Sequence, residues 1–184
     1  MGNINTAPPA ALIAGIFYAD RDVLARVMTE LEASYGPVKY ESPEFPIDMT
    51  TYYESEMGPE LYKRFVCFER PFDLDEFAPV KVFTNELESK YALYTEEGMK
   101  RRINIDPGYL IMSKLVLAST KNFSHRIYIG NGIFCEITLS FYRGFFKPHA
   151  TTFPDYQTPL ALEFFTKVRG YVKRNRDLWT SSNA

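Results

Sequence analysis

The chain of 184 residues reads as one α+β domain, spanning 1–184, on a mostly antiparallel sheet. It has a ferredoxin-like βαββαβ start, extended by a C-terminal β-hairpin and helix. Three observations predict this. Short apolar runs of strand length alternate with two stretches of helical spacing up to residue 106. Gly130-Asn131-Gly132 then separates two strand-like runs, and the chain from residue 159 returns to helical spacing. A doubly wound α/β sheet is the second arrangement compatible with this order.

Residues 1–10, with Pro8-Pro9, read as a disordered lead-in. The run 11–19, ALIAGIFYA, suits a buried strand. Asp20 is placed to cap a helix whose apolar side is Val23, Leu24, Val27, Met28 and Leu31, and Gly36-Pro37 ends it. A strand over 38–42 leads into a loop punctuated by Pro43 and Pro46. The polar, tyrosine-rich segment 49–61 predicts a loop or short helix. In 62–70, YKRFVCFER, Phe65 and Cys67 face one way and Val66 and Phe68 the other, as in a half-buried or buried strand.

A second helix is expected over 74–91, with Phe77, Val80, Phe83, Leu87 and Tyr91 as its stripe and Pro79 tolerated in its first turns. The strand RRINID follows, and Pro107-Gly108 matches a type II turn. The apolar stretch after it predicts a third helix over 110–120. Gly130-Asn131-Gly132 predicts a hairpin. In its second strand Ile133, Cys135, Ile137, Leu139 and Phe141 share one face, and Phe134, Glu136, Thr138, Ser140 and Tyr142 the other. A further strand within 145–153 and a helix over 159–176 complete the domain.

Composition narrows the function. A formal charge of -2 supplies no global attraction to nucleic acid or anionic lipid, so such binding needs a local basic patch. No segment reaches the ~20 apolar residues that cross a bilayer. The start lacks a signal-peptide pattern, and Met-Gly-Asn-Ile-Asn-Thr is too short a match to carry myristoylation. A cytoplasmic protein with no membrane partner is expected. Cys67 and Cys135 stand singly, which excludes CxxC chemistry and favours reduced, buried thiols. There is no P-loop, GxGxxG, HExxH or GxSxG motif.

The polar residues of interest gather around the centre of the chain. On the strand RINID, Asn104 and Asp106 share a face. The helix expected after Pro-Gly would offer its N-terminus to an anion, with Tyr109 at its start and Lys114 and Lys121 on one side. Glu136 and Thr138 share a face of the hairpin, and His125 and Arg126 open its first strand. If these strands pair, Asn104, Asp106, Arg126, Glu136 and Thr138 line one polar floor with Lys114 at its rim. Asp106 and Glu136 would hold a divalent ion such as magnesium or act as acid and base, with His125 as a second proton carrier. Lys114, Lys121 and Arg126 would neutralise phosphate. The competing reading is a salt-bridge network joining Asp106 or Glu136 to Arg126. Tyr52, Tyr53, Asp155 and Tyr156 are loop groups able to approach a ligand ring.

These features point to binding of a nucleotide or other phosphorylated ligand, either by a ligand-binding domain or by a metal-assisted enzyme. The alternatives are an RNA-binding accessory protein, using a sheet face and the basic stretch YVKRNR, and a protein-interaction module using 49–62. RRINIDPGYLIMSKLVLASTKNFSHRIY, GIFCEITLSFYRG, TTFPDY, PVKYESPEFPIDMTTYYESEMG and VKVFTNELE together resemble a prokaryotic family, domain of unknown function 4416, from about residue 12 to 176. The resemblance implies a small single-domain cytoplasmic protein. Some members of that family carry the name GTP-binding protein, and the resemblance transfers no catalytic residue.

Overall fold

The computed structural model describes residues 2–3, 6–47, 57, 60–96 and 98–181, with side chains described up to residue 179. The segment expected as a loop or short helix over 49–61 lies outside them, apart from Met57, Glu60 and Leu61. So do Tyr52 and Tyr53.

In chain order the strands are β1 (Ala11–Tyr18), β2 (Val38–Glu41), β3 (Phe45–Pro46), β4 (Tyr62–Pro71), β5 (Leu93–Thr95), β6 (Gly98–Lys100), β7 (Ile103–Ile111), β8 (Lys114–Ser119), β9 (Ile127–Gly130), β10 (Ile133–Tyr142) and β11 (Phe145–Pro148). The helices are α1 (Arg21–Tyr35), α2 (Phe77–Lys90) and α3 (Pro159–Ser181), with 3-10 turns at Leu74–Glu76 and Pro154–Gln157. None of the helices is long and apolar enough to cross a membrane.

The main sheet runs β11-β10-β8-β7-β1-β4-β2, with β3 beside β4 and β9 beside β10. Every neighbouring pair in it is antiparallel. Local chemistry sets the element ends. The Asp20 carboxylate accepts from the Asp22 and Val23 amides at the start of α1, and Gly36, at φ 89°, closes it by donating to the Glu32 carbonyl. Asn131 and Gly132, both at positive φ, form the two-residue β9–β10 turn. The lead-in stops short of Ala10, which is buried and accepts from the Phe72 amide.

Both faces of the sheet are covered at its centre. Ala11, Ile13, Phe65, Cys67 and Leu110 pack under Phe165, Val168 and Val172 of α3. Leu12, Ala14, Ile16, Val66 and Phe68 meet Val27 and Leu31 of α1 and Val80 and Leu87 of α2. The alternation read in β4 is therefore correct. Each fully buried Val, Leu, Ile or Phe among them contributes roughly 1.5–3 kcal/mol relative to exposure, so these two layers hold the domain together. Cys67 and Cys135 are free, and burial pushes the Cys67 thiol up to about 12, as in an unreactive core cysteine.

Two expectations are corrected. Pro107-Gly108 is not a turn, and residues 110–120 are not a helix. β7 runs straight through Pro107 and Gly108, the chain reverses at Met112-Ser113, and β8 returns beside it. Pairing with β1 extends from Ile103 to Leu110, but pairing with β8 stops at Gly108–Leu117. The cause lies in the backbone. The Ile105 amide and carbonyl point away from β1, and by the two-residue strand repeat those of Pro107 do too. Proline has no N–H to give β8, so the ladder ends there. Gly108 allows the final close pair, since a Cβ at that position would lie 2.6 Å from the Val116 carbonyl oxygen.

A third correction concerns β10. A bulge between Ile137 and Leu139 breaks its alternation, so Leu139 joins the α3-side core while Ile133 and Cys135 pack on the opposite face with Phe77 and Val116. The exposed β5–β6 ribbon was not anticipated.

Gly108→Ala should destabilise the domain by about 2 kcal/mol, because the obstructing atom is backbone and cannot move aside. Urea unfolding checks this, and a change within 0.5 kcal/mol, on the order of a surface substitution, would show that the strands do not need this close approach.

Candidate functional site

Where the β7–β8 ladder ends, the strands part around a cleft of about 460 Å³. Asn104 and Asp106 come from β7, and residues 117–121 from the end of β8. Lys81, Asn85 and Glu88 of α2 reach it from one side of the sheet. Phe17, Lys63 and the Pro154–Gln157 turn close it from the other. Arg126 and Glu136 complete the rim.

The α2 side chains replace the missing strand. Lys81 Nζ donates to the Ile105 carbonyl at 2.7 Å, and the Ile105 amide donates to Glu88 Oε1 at 2.7 Å. The two side chains lie 3.7 Å apart, with Arg101 Nη1 3.8 Å from the other Glu88 oxygen. Both backbone groups of Ile105 are thus satisfied inside the protein, where an orphan would cost about 1–3 kcal/mol. Burial pushes the Glu88 carboxyl above its usual range, opposed by the Lys81 charge and the Ile105 amide.

Lys63 is the second constructed feature. Fully buried, it pairs with the Asp155 carboxylate, and its Nζ sits 4.0 Å from the Phe17 ring centre and 4.2 Å from that of Tyr156. Burial drives its amine pKa down, while Asp155 and Asp106 pull it back up. The space comes from Gly15, where a Cβ would lie 2.5 Å from Tyr156 Oη and 3.0 Å from Lys63 Cε.

On the opposite rim, Arg126 donates to Ser119 Oγ (2.9 Å), to the Lys121 carbonyl (3.0 Å) and to Glu136 Oε1 (3.3 Å). His125 Nε2 contacts the remaining Glu136 oxygen. Glu136 is therefore engaged by two neighbours, and its pair with Arg126 is the one the salt-bridge reading offered as an alternative to Asp106. The Asp106 side chain makes no hydrogen bond or ion pair with any described residue, though its charge acts on Lys63 and Glu88. Asn104 is 4% exposed; its Oδ1 accepts from Arg101 at 2.9 Å and its Nδ2 has no partner.

The structure thus brings Asn104, Asp106, Lys121, Arg126 and Glu136 to one cleft, with His125 behind it. It does not bring the rest. Tyr109 lies on the other face against the Phe77 ring, 4.8 Å between centres. Thr138 is buried at the bulge, where its carbonyl accepts from Thr152. Lys114 opens β8 while Lys121 follows its far end, roughly 20 Å away at strand rise, and the expected helix N-terminus does not exist. Among the described residues no three His, Cys, Asp or Glu side chains group as metal ligands, and the expected pair, Asp106 and Glu136, lacks a third.

Phe17, Lys63, Lys81, Glu88 and Arg101 were missed. Two signals were present: Lys63 interrupts the apolar face of Phe65 and Cys67, and Lys81, Thr84 and Glu88 continue along α2 from Phe77 at helical spacing.

Fold and site together define an α+β protein whose antiparallel sheet is covered on both faces at its centre and is opened at one point by a cleft with several charged side chains. The chain belongs to the family described as Domain of unknown function (DUF4416), whose model matches residues 8–171. No curated protein and no solved structure matches it.

Because the Glu88 pKa is raised in the folded state, its contribution to stability is full below the unfolded value near 4.5 and is lost as pH rises toward the folded value. Glu88→Gln still accepts from Ile105 but does not ionise. The stability of the wild type minus that of Glu88→Gln should therefore decrease from pH 4.5 to neutrality in urea unfolding. A difference that increases with pH would mean that the Lys81 and Arg101 charges outweigh burial.

Proposed function

We propose that the cleft binds a nucleotide or a comparable phosphorylated small molecule. The observation that carries this reading is the Asn104 amide, whose buried Nδ2 has no acceptor while Arg101 fixes the orientation of its Oδ1. A buried donor without a partner is costly, so a ligand acceptor at this point gains what the protein alone forgoes. Two residues along the same strand face, Asp106 supplies an unengaged acceptor. A donor beside an acceptor matches the edge of a nucleobase that carries a carbonyl next to a ring N–H.

The remaining lining supports the same ligand. The volume is in the range of small-molecule sites. Phe153, half-exposed at the rim, offers a ring face for stacking. Ser119, Thr120 and Lys121 lie together at the end of β8, where hydroxyls and a cation suit phosphate. Magnesium would arrive with the phosphate rather than on a protein cage. In a reaction, Asp106 is the group placed to accept a proton or to ligate such an ion. The sheet order β7-β1-β4-β2, with α1 and α2 on one face, supports the ferredoxin-like reading of the first half. Helices lie over both faces of β1, β4 and β7, so these strands offer no open platform for RNA.

Thermal unfolding with a panel of purine and pyrimidine nucleoside mono-, di- and triphosphates, with and without magnesium, tests this. A true ligand at one hundred times its Kd should add about 2.7 kcal/mol of stability. Asn104→Ala and Asp106→Ala should each weaken binding at least tenfold. No shift across the panel would sink the reading.

A further inference from the structure

A second concave surface lies away from the cleft, between the last strand and the last helix. It is an open groove of about 660 Å³ formed by Phe145 and Phe146 of β11 with Leu162, Thr166, Lys167 and Arg174 of α3. β11 pairs with β10 and, among the described residues, with no other strand.

The turn geometry fixes what this edge exposes. Arg143 (φ 52°) and Gly144 (φ 96°) form a two-residue turn, so the pair that closes it, Tyr142–Phe145, is the hydrogen-bonded one. The next pair, Phe141–Phe146, is then non-bonded, and the Phe146 N–H and C=O point outward. Phe141 agrees, since its amide points the other way and donates to the Ser113 carbonyl at 2.7 Å. An unpaired amide and carbonyl beside an apolar groove are the elements of strand addition.

Charge selects the partner. Residues 141–148 contain Arg143 and Lys147 and no acid, and 159–181 hold five cations against Glu163 and Asp177, in a chain of net charge -2. Lys167 and Arg174 are gathered at one wall, with Lys167 4.3 Å over the Tyr40 ring and Arg174 Nη2 3.4 Å from the Tyr40 hydroxyl. Tyr142 (53% exposed) and Phe145 (54%) add apolar surface. The groove is also kept open at Gly170, which also lines it: glycine inside a helix costs about 1 kcal/mol relative to alanine. A Cβ there would meet only the flexible Arg174 tip, at 3.3 Å.

We infer that the β11 edge and the α3 groove dock an extended acidic segment of a partner protein, which pairs with Phe146 as an added strand and sets an apolar side chain in the groove. A second copy pairing edge to edge through β11 would bring Arg143 and Lys147 against their own like. A nucleic acid has no peptide backbone to pair with Phe146.

The test is selection of random eight-residue peptides on the full chain, followed by anisotropy titration of the selected sequences and of a single-stranded oligouridine. Selected peptides should alternate Asp or Glu with apolar residues. Gly170→Leu, which fills the groove with a good helix former, and Lys167→Glu/Arg174→Glu should each weaken them at least tenfold without lowering Tm. Hydrogen exchange at the Phe146 amide should slow at least tenfold on binding. Failure to select any peptide, selection of basic ones, an unprotected Phe146 amide, or binding of the oligouridine alone would each overturn the proposal.

Discussion

The absence of an N–H at Pro107 is the constraint on which this structure turns. A proline in a central strand removes one rung, and here the rung falls on the β8 side while pairing with β1 continues. One missing donor would ordinarily leave the backbone beyond it orphaned. α2 lies close enough for Lys81 and Glu88 to take the Ile105 carbonyl and amide, so the gap stays open with both backbone groups of Ile105 satisfied. A buried ion pair is weak evidence of stabilisation in itself. These two residues are better understood as side-chain substitutes for a strand.

Electrostatic matching inside the opening follows from that gap. Each charge drawn from water needs a partner, because the desolvation cost of a lone buried ion is several kcal/mol. Lys63 has Asp155, Glu88 has Lys81 and Arg101, and Glu136 has Arg126 and His125. The Lys63–Asp155 pair also ties the Pro154–Gln157 turn to the sheet, and it depends on Gly15 leaving room for the lysine stem and Tyr156. Among the described side chains of the cleft, Asn104 Nδ2 and Arg126 Nε have no hydrogen-bond partner, and the Asp106 carboxylate makes no hydrogen bond or ion pair although its charge acts on Lys63. That contrast, more than the number of polar residues, marks the strand face a ligand would meet.

Much of the fold was legible because its signals are local. Asp20 caps α1, Gly36 ends it, Asn131-Gly132 turns the hairpin, and the alternation of Phe65 and Cys67 against Val66 and Phe68 is the alternation of the two cores. The stretch after Pro107-Gly108 misled for an equally physical reason. Four of the six residues of β8 are buried, on both faces, and such a strand is a continuous apolar run that periodicity cannot distinguish from a helix. Proline and glycine reinforced the wrong choice, since their usual place is a turn. Five of the nine residues named for the site line the cleft; the helix error misplaced Tyr109 and Lys114, while the bulge took Thr138 away from it.

The sequence by itself determined which segments are strands or helices over most of the chain, where they stop, and that Asn104 and Asp106 share a face. These follow from dihedral preferences, capping groups and periodicities that act within a few residues. Only the tertiary structure decided that the ladder breaks at Pro107, that α2 fills the vacancy, and that Lys63 is buried beside Asp155. Those outcomes depend on which backbone groups lose their partners when distant strands pair, and hydrogen-bond satisfaction across the whole sheet is not encoded in any one stretch of chain.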